Sequence, residues 1–314
     1  MASPAQRHLK QPILIVGTGA LATLFAARLS ANGHPITMLG TWKDGLRALN
    51  ENGARLVDEN SAEHAYPVNA TSDPTNYRGA RYALVLVKSW QTERAAKQLA
   101  ECLAEDGLAL TLQNGMGNRE LLAESLSLSR VALGVTTTGA TLLGPGLARA
   151  GGEGVISLEA HLRLGPLEAA LTGAGFNVQV VNDADALVWG KLVINAAINP
   201  LTALLRVPNG ELLQRPAAHK MMSVLAREAA AVATAQGIHL PFKDAVRAAE
   251  DVARKTASNH SSMFQDIRRG APTEIDAICG AITKTGEKLG VSTPVNRVCW
   301  HLTRASLPAA QRVQ

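Results

Sequence analysis

Lys191, Asn195 and Asn199 stand at i, i+4 and i+8 in a segment, Trp189 to Thr202, whose other residues are almost all apolar. On a helix this spacing drifts by only about 40° per step, so the three side chains line one face, successive ones about 6 Å apart along the axis. A lysine and two amides on an apolar helix are costly if buried without partners. The stripe is therefore either the wet face of the helix or the lining of a polar pocket. In a pocket, an ammonium can stabilise negative charge developing on an oxygen and then donate a proton to it. A lysine's ordinary pKa of about 10.4 is high for that task at neutral pH, and burial near other cations lowers it.

A second set, Gly17-Thr18-Gly19-Ala20-Leu21-Ala22, fits the G-x-G-x-x-G/A pattern. It follows a short apolar run, Ile13 to Val16, and opens a helical one. The first glycine permits a tight turn, and the second lets backbone approach a pyrophosphate. The small Ala22 allows close helix–strand packing, and the helix N-terminus offers N–H groups to phosphates. The pattern predicts a dinucleotide site; a glycine turn with no ligand is the plainer alternative. An NAD site usually ends its second strand in an acid that binds the ribose 2′-hydroxyl. Here that strand ends in Leu39-Gly40-Thr41-Trp42-Lys43, with no acid until Asp44. A missing acid beside a cation suits a 2′-phosphate, so NADPH is the expected cofactor, with Thr41 and Lys43 as candidate contacts. An ordinary exposed lysine would account for Lys43 equally well.

The elements that must position these residues alternate. Short apolar runs at Ile13–Val16, Ile36–Leu39, Tyr82–Val87, Leu108–Leu112 and Val131–Val135 read as buried strands. Helical patterns at Ala20–Ala31 and Thr92–Ala104 lie between some of them. The alternation predicts an α/β, doubly wound (Rossmann-like) dinucleotide-binding domain over residues 1–182. Within it, residues 1–11 read as a loose tail, and Thr136–Ser157, with six glycines, as a loop-rich edge. From residue 183 to 314 the pattern becomes long and Ala/Leu-rich, at Ala186–Ala197, Ala217–Gln236, Lys243–Thr256 and Ile275–Leu289. That predicts an all-helical C-terminal domain.

Bulk properties narrow the functional classes. The 314 residues are 46% hydrophobic and 18% charged, a globular composition. A net charge of +5 suits an anionic substrate and a phosphate-rich cofactor, but equally a mildly basic solvated surface. No basic run exceeds Arg268-Arg269 and aromatics make up 4%, so nucleic acid is not an expected partner. The apolar run from Ile13 to Ala27 is shorter than a membrane span and carries two glycines, so no membrane is expected either. Three cysteines without a C-x-x-C pair, and no secretory signal, point to a reducing cytoplasm. The eight histidines are scattered, with none at i, i+3 or i, i+4, and no metal motif is present. An apolar helix face in the second domain fits core or a homodimer interface alike.

Three further segments complete the pattern. They are Val87-Lys88-Ser89-Trp90-Gln91, Gln113-Asn114-Gly115-Met116-Gly117, and Ser261-Ser262-Met263-Phe264-Gln265-Asp266 followed by Pro272-Thr273-Glu274-Ile275-Asp276. With the glycine motif and the Lys–Asn–Asn helix, in matching order from residue 13 to about residue 295, they make the chain resemble the ketopantoate reductase (2-dehydropantoate 2-reductase) family. The resemblance implies NADPH-dependent reduction of the 2-oxo acid 2-dehydropantoate to (R)-pantoate, a step toward coenzyme A. It makes Lys191 the general acid and assigns Asn195, Asn199 and Ser262 to substrate. Asn114 falls between cofactor and substrate, with Glu274 near the nicotinamide end and Lys88 in the nucleotide-domain cleft. Without the resemblance, Thr273 reads as a helix N-cap with Asp276 at N3, and Glu274 as a first-turn residue complementing the helix dipole. Many members carry an arginine where this chain has Thr41-Trp42-Lys43, and some a histidine absent from Thr136–Thr141. Two alternatives are a reductase of a different 2-oxo acid or ketone, and a non-catalytic NADP(H)-binding sensor. A sensor has no need of the full Lys191, Asn195, Asn199, Ser262 and Glu274 set.

Overall fold

The computed structural model describes residues 12–307, so the tail expected at 1–11 lies outside them. The described chain forms two compact units. The first takes residues through Val87, then Gln91–Gln113 and Asn118–Ala184; the second takes Lys88–Trp90, Asn114–Gly117 and the chain from Asp185 onward. The sequence predicts each domain as one continuous stretch; the second unit also takes in the two short segments, whose backbone and side chains are bonded at Asp266, Glu274 and Ala277.

The first unit holds strands β1 (Ile13–Val16), β2 (Ile36–Leu39), β3 (Ala54–Val57), β4 (Glu63–Tyr66), β5 (Asn69–Thr71), β6 (Ala80–Val85), β7 (Leu103–Thr111), β8 (Val131–Thr136), β9 (Ala140–Gly144), β10 (Leu147–Ala150), β11 (Val155–Glu159) and β12 (Asn177–Val181). Its helices are α1 (Ala20–Ala31), α2 (Lys43–Asn52), α3 (Thr92–Cys102), α4 (Asn118–Leu126) and α5 (Gly165–Gly173). Eight strands form one sheet in the order β12-β11-β8-β7-β6-β1-β2-β5. From β5 to β8 all pairs are parallel; β11 runs antiparallel to β8 and pairs in parallel with β12. Strands β1 and β2 are buried at every position, the mark of a parallel sheet covered on both faces. The order reverses between β1 and β6, so a crevice opens at the carboxyl end of β1, where Gly17 follows.

Thr136–Ser157 is not a loop-rich edge. It supplies β9, β10 and most of β11, and β9 and β10 join β3 and β4 in a second, four-stranded sheet of order β4-β3-β10-β9. The glycines mark the turns between these short strands, such as Gly146 at φ +65° and Gly152 at φ +101°. This second sheet packs on α1 from the side away from β1 and β2. Covered on both sides, α1 buries every residue from Ala22 to Ala27, which explains why its composition is apolar all round.

The second unit is helical: α6 (Ala184–Leu205), α7 (Glu211–Gln214), α8 (Pro216–Ala235), α9 (Ala245–Lys255), α10 (Ser262–Arg268), a π-turn at Asp276–Gly280, α11 (Ala281–Leu289) and α12 (Pro294–Ala305). Helix α6 is its axis. Trp189, Leu192, Val193, Ala196 and Ala197 are buried in one core with Met222, Leu225, Ala226 and Ala229 of α8. The helix runs through Pro200 rather than stopping near Ala197 as the periodicity predicts. It is also long and apolar enough to cross a membrane by length and composition, a feature the reading of Ile13–Ala27 passes over. Two thirds of its most apolar window is buried inside this core, which accounts for that composition.

Helix α6 ends on a strained residue. Arg206 takes φ +57°, the left-handed conformation, while the Val207 N–H closes back on the Thr202 carbonyl at 3.1 Å. A side chain costs about 1–2 kcal/mol in that conformation, partly offset by the entropy glycine loses on folding. Arg206→Gly is expected to stabilise the chain by about 0.5 kcal/mol, read as a higher midpoint in denaturant unfolding. A lower midpoint would show that the Arg206 side chain contributes more than its backbone strain costs.

Candidate functional site

In the first unit the glycine turn is dictated by crowding. The Gly17 N–H donates to the Leu39 carbonyl at 2.8 Å, and the Leu86 N–H to the Val16 carbonyl at 2.9 Å, drawing β1, β2 and β6 together at their carboxyl ends. Gly17 sits at φ +132°, and a Cβ there would lie 3.1 Å from the Leu86 backbone. Thr18 is buried against Gly40, where a Cβ would come within 2.7 Å of its methyl. Gly19 is the opposite case. A Cβ on it would meet nothing within 4 Å, and it is the N-cap of α1 with no side-chain cap bond. Ala20 and Leu21 follow half-buried and Ala22 is buried in the helix. An uncapped helix N-terminus, open space beside a glycine and a first turn without acids form a cradle for pyrophosphate. A dinucleotide therefore fits this turn.

At the end of β2, Thr41, Trp42 and Lys43 are exposed, and Lys43 is the first residue of α2. The Trp42 ring folds over Gly45, where a Cβ would fall 2.4 Å from it. The first acid, Asp44, is bonded to Arg47 at 3.0 Å. The position that would read a ribose hydroxyl is thus without an acid, and the nearest one is engaged by an arginine.

Beyond β6 and β7 a buried polar network that the sequence reading missed fixes the two strand ends. Gln113 Nε2 donates to the Val87 carbonyl at 3.0 Å and to Thr92 Oγ1 at 2.8 Å. Thr92 in turn donates to Asn118 Oδ1 at 2.8 Å. Gln113 and Asn118 flank the Asn114–Gly117 segment, and Val87 and Thr92 flank Lys88–Gln91. Glutamine between apolar strand and glycine turn was the available signal.

In the second unit, Lys191 and Asn195 are half-buried on α6 and Asn199 is 7% exposed. The stripe is therefore not a wet face. Thr202, three residues past Asn199, donates its hydroxyl to Ser261 Oγ at 2.7 Å, and Ser261 Oγ accepts the Phe264 N–H at 3.1 Å as the N-cap of α10. This tie fixes α10 on α6 and makes the half-buried Ser262 the first residue of α10. Of the two serines in the motif, Ser261 holds the structure.

Thr273 is not a helix N-cap. The turn that follows is π-type, Asp276–Gly280, with the Gly280 N–H reaching back to the Ile275 carbonyl at 3.0 Å. Glu274 lies before it, 4% exposed, so it does not serve a helix dipole at the surface. Its Oε1 accepts the Ser89 N–H at 3.3 Å and its Oε2 accepts Asn114 Nδ2 at 3.1 Å. The Met116 N–H donates to the Ala277 carbonyl at 3.0 Å, and Gly115, at φ +82°, leaves room for Ala277, which a Cβ would meet at 2.6 Å. Glycine is required there for the segment to seat on the π-turn.

Lys88 Nζ lies 2.7 Å from Asp266 Oδ2 and 3.5 Å from Glu274 Oε2. Burial pulls its ammonium down, but the Glu274 and Asp266 carboxylates outweigh burial and leave its pKa raised. Lys191 shows the opposite balance. Burial pushes its pKa from 10.5 down to about 8, with the Glu274 carboxylate pulling against burial. The structure thus gathers Lys88, Asn114, Lys191 and Glu274 into one electrostatic neighbourhood of the second unit, and adds the buried Asp266, whose partners the sequence alone does not reveal. Lys43 and Gly17 to Ala22 belong to the first unit.

Known proteins resemble this chain along nearly its whole described length. Residues 13–162 match the family described as ketopantoate reductase PanE/ApbA, and residues 183–306 its C-terminal domain. A 2-dehydropantoate 2-reductase of Archaeoglobus fulgidus is 37% identical over 303 residues, covering 94% of this chain and 97% of that protein. A PanE/ApbA family ketopantoate reductase of Ralstonia eutropha JMP134 superposes with a TM-score of 0.88 at 32% identity, covering 94% of this chain and 98% of the other. A D-mandelate dehydrogenase solved with NADH and anilino(oxo)acetate superposes with a TM-score of 0.86 at 25% identity, covering 94% and 98%.

The balance at Lys191 gives a direct measurement. Competitive acetylation across pH, read by mass spectrometry on the cofactor-free protein, is expected to titrate Lys191 near pH 8. In Glu274→Gln the carboxylate that raises it is gone, so its pKa falls further. A Lys191 titrating at the ordinary lysine value in both proteins would show that burial does not govern it.

Proposed function

The chain belongs to the ketopantoate reductase family, and from that premise we propose that it reduces 2-dehydropantoate to (R)-pantoate with NADPH, Lys191 supplying the proton. The observation that carries this reading is Lys191 itself, with burial bringing its pKa to about 8 on a helix it shares with Asn195 and Asn199. When bound, NADPH supplies a hydride to the C2 carbonyl carbon of the 2-oxo acid. The carbonyl π-electrons move onto oxygen as the C–H bond forms, and Lys191 gives that oxygen its proton. An acid whose pKa lies near the working pH is both charged in the resting state and able to part with its proton.

Gly17, Thr18, Gly19, Ala20, Leu21 and Ala22 would hold the pyrophosphate, with Thr41 and Lys43 on the 2′-phosphate. Lys88, Asn114 and Glu274 would meet the nicotinamide end. Asn114, Asn195, Asn199 and Ser262 would orient the substrate carboxylate and hydroxyl, adding no anion to repel it. The setting we propose is a reducing cytoplasm, in keeping with three cysteines that are free and buried.

A second reading is reduction of a different 2-oxo acid. It is favoured by the likeness to D-mandelate dehydrogenase solved with NADH and anilino(oxo)acetate.

The test is NADPH oxidation with 2-dehydropantoate, alongside phenyl-substituted and straight-chain 2-oxo acids, with NADH in parallel. The expected outcome is turnover selective for 2-dehydropantoate and NADPH, with kcat/KM falling above pH 8 as Lys191 loses its proton. Lys191→Ala is expected to lose about 10²–10⁴-fold in turnover while still binding NADPH. NADPH binding with 2-dehydropantoate inert, and another oxo acid reduced, would move the substrate assignment to the second reading. Near-wild-type turnover in Lys191→Ala would remove the lysine from the reaction.

A further inference from the structure

We infer that Asp266 is a positioning residue for the proton donor: it holds Lys88 off Glu274, leaving the Glu274 carboxylate to sustain the ammonium of Lys191. The inference rests on Lys191 being the acid of the proposed reaction.

The geometry carries it. Asp266 is 2% exposed, and its two oxygens are divided between two cations, Lys88 Nζ on Oδ2 and Arg269 on Oδ1, each at 2.7 Å. Lys88 therefore has two carboxylates within reach and sits nearer Asp266 by 0.8 Å, the difference between 2.7 and 3.5 Å. Glu274 Oε2, the oxygen Lys88 would otherwise take, is the one that accepts Asn114 Nδ2. A buried carboxylate paired with two cations contributes little net stability and is costly to leave half-paired, so a purely structural role is poorly served by this arrangement. A role in apportioning charge is well served. The Glu274 carboxylate raises the Lys191 pKa against burial. Every fraction of the Lys88 charge drawn onto Glu274 weakens that support.

The other charged groups around this cluster lie at the surface. On α10 and the turn before it they are His260 and Arg268, bonded to each other at 3.3 Å and exposed. The loop whose Pro241 packs on Gly190, beside Lys191, carries His239, Lys243 and Asp244, all exposed. On α6 itself, Asp185 is exposed a turn and a half before Lys191. Water screens these groups; it does not screen Asp266, Glu274 and their partners to the same degree.

Removing the charge without the shape tests this. In Asp266→Asn, Lys88 keeps one carboxylate and moves onto Glu274, so the Lys191 pKa falls. The alkaline limb of kcat/KM is expected to shift about 0.5–1 unit to lower pH, the size of one charge acting across a partly screened interior. Asp266→Glu, which restores the charge, is expected to return it. Lys88→Met removes the competitor for Glu274 and is expected to shift the limb the other way. Acetylation of Lys191 in the cofactor-free proteins follows the same order without requiring turnover. A loss of activity in Asp266→Asn with the limb and the labelling curve unmoved would overturn the inference, as would shifts of the same sign in Asp266→Asn and Lys88→Met. Labelling curves that move while the kcat/KM limb does not would leave the charge relay standing and remove Lys191 from the reaction.

Discussion

A lysine ammonium held half-dry, with a buried carboxylate to sustain it, is the constraint around which the second unit is built. Burial alone disfavours the charged form. For the proposed proton donation, too little burial would leave Lys191 a poor acid at neutral pH, and too much would strip its proton before the reaction needs it. Helix α6 solves the first part by running through the core of the unit, so that apolar neighbours surround the stripe of Lys191, Asn195 and Asn199. Glu274 solves the second part, and it can do so only because Ser89, Asn114 and Lys88 satisfy a carboxylate that is 4% exposed. The π-turn after Glu274 presents the Ala277 carbonyl to Met116 and requires glycine at 115. Irregular helix is frequent at functional sites for this reason: it offers backbone groups that a regular turn would consume.

The first unit answers a different demand, that of bringing backbone close to an anion without side chains in the way. Three strand ends converge on Gly17, and their hydrogen bonds leave no room for a Cβ. The helix that starts there must be rigid for its N–H groups to stay aimed. Clamping α1 between two sheets supplies that rigidity, since it buries both flanks of the helix.

Most of this architecture was legible from periodicity. Strands β1, β2 and β8 and helices α1 and α8 fall within a residue or two of the runs that predict them, because burial on both faces leaves unbroken apolar stretches in strands and a clear period in helices. The second sheet was not legible. Strands of four or five residues separated by glycine turns carry too short a pattern to distinguish from loop, and most of their positions are only half-buried, which blurs the in–out alternation. Thr273 misled for a related reason. An N-cap sequence signal describes a local preference, and the packing of Trp300 against Gly280 with its indole N–H on Asp276 imposes a π-turn instead. Lys191, Asn195 and Asn199 were legible as a stripe; that the stripe is buried or half-buried rather than wet was not, because the choice depends on residues far away in sequence. Asp266 and Gln113 stayed unread for the same reason: a single acid or amide reveals its partners only once strands and helices 20 to 180 residues apart have folded together.

The charges of the second unit also bear on how an anionic substrate would come and go. Lys88, Arg269 and a protonated Lys191 face Asp266 and Glu274, an excess of one positive charge in a partly buried cluster. A 2-oxo acid brings one negative charge, so its carboxylate meets a complementary field although the groups assigned to touch it, Asn195, Asn199 and Ser262, are neutral. In the proposed reaction Lys191 would give that charge up with its proton while the oxidised cofactor would carry an equal positive charge, so the site as a whole would stay balanced against the product carboxylate. A fixed cation such as arginine in place of Lys191 would attract the anion equally well, but it would hold its proton and leave the new alkoxide without a donor. A titratable cation near the working pH can both attract the anion and complete the bond-making step, which is a physical reason for a lysine, and for a carboxylate that tunes it, at this position.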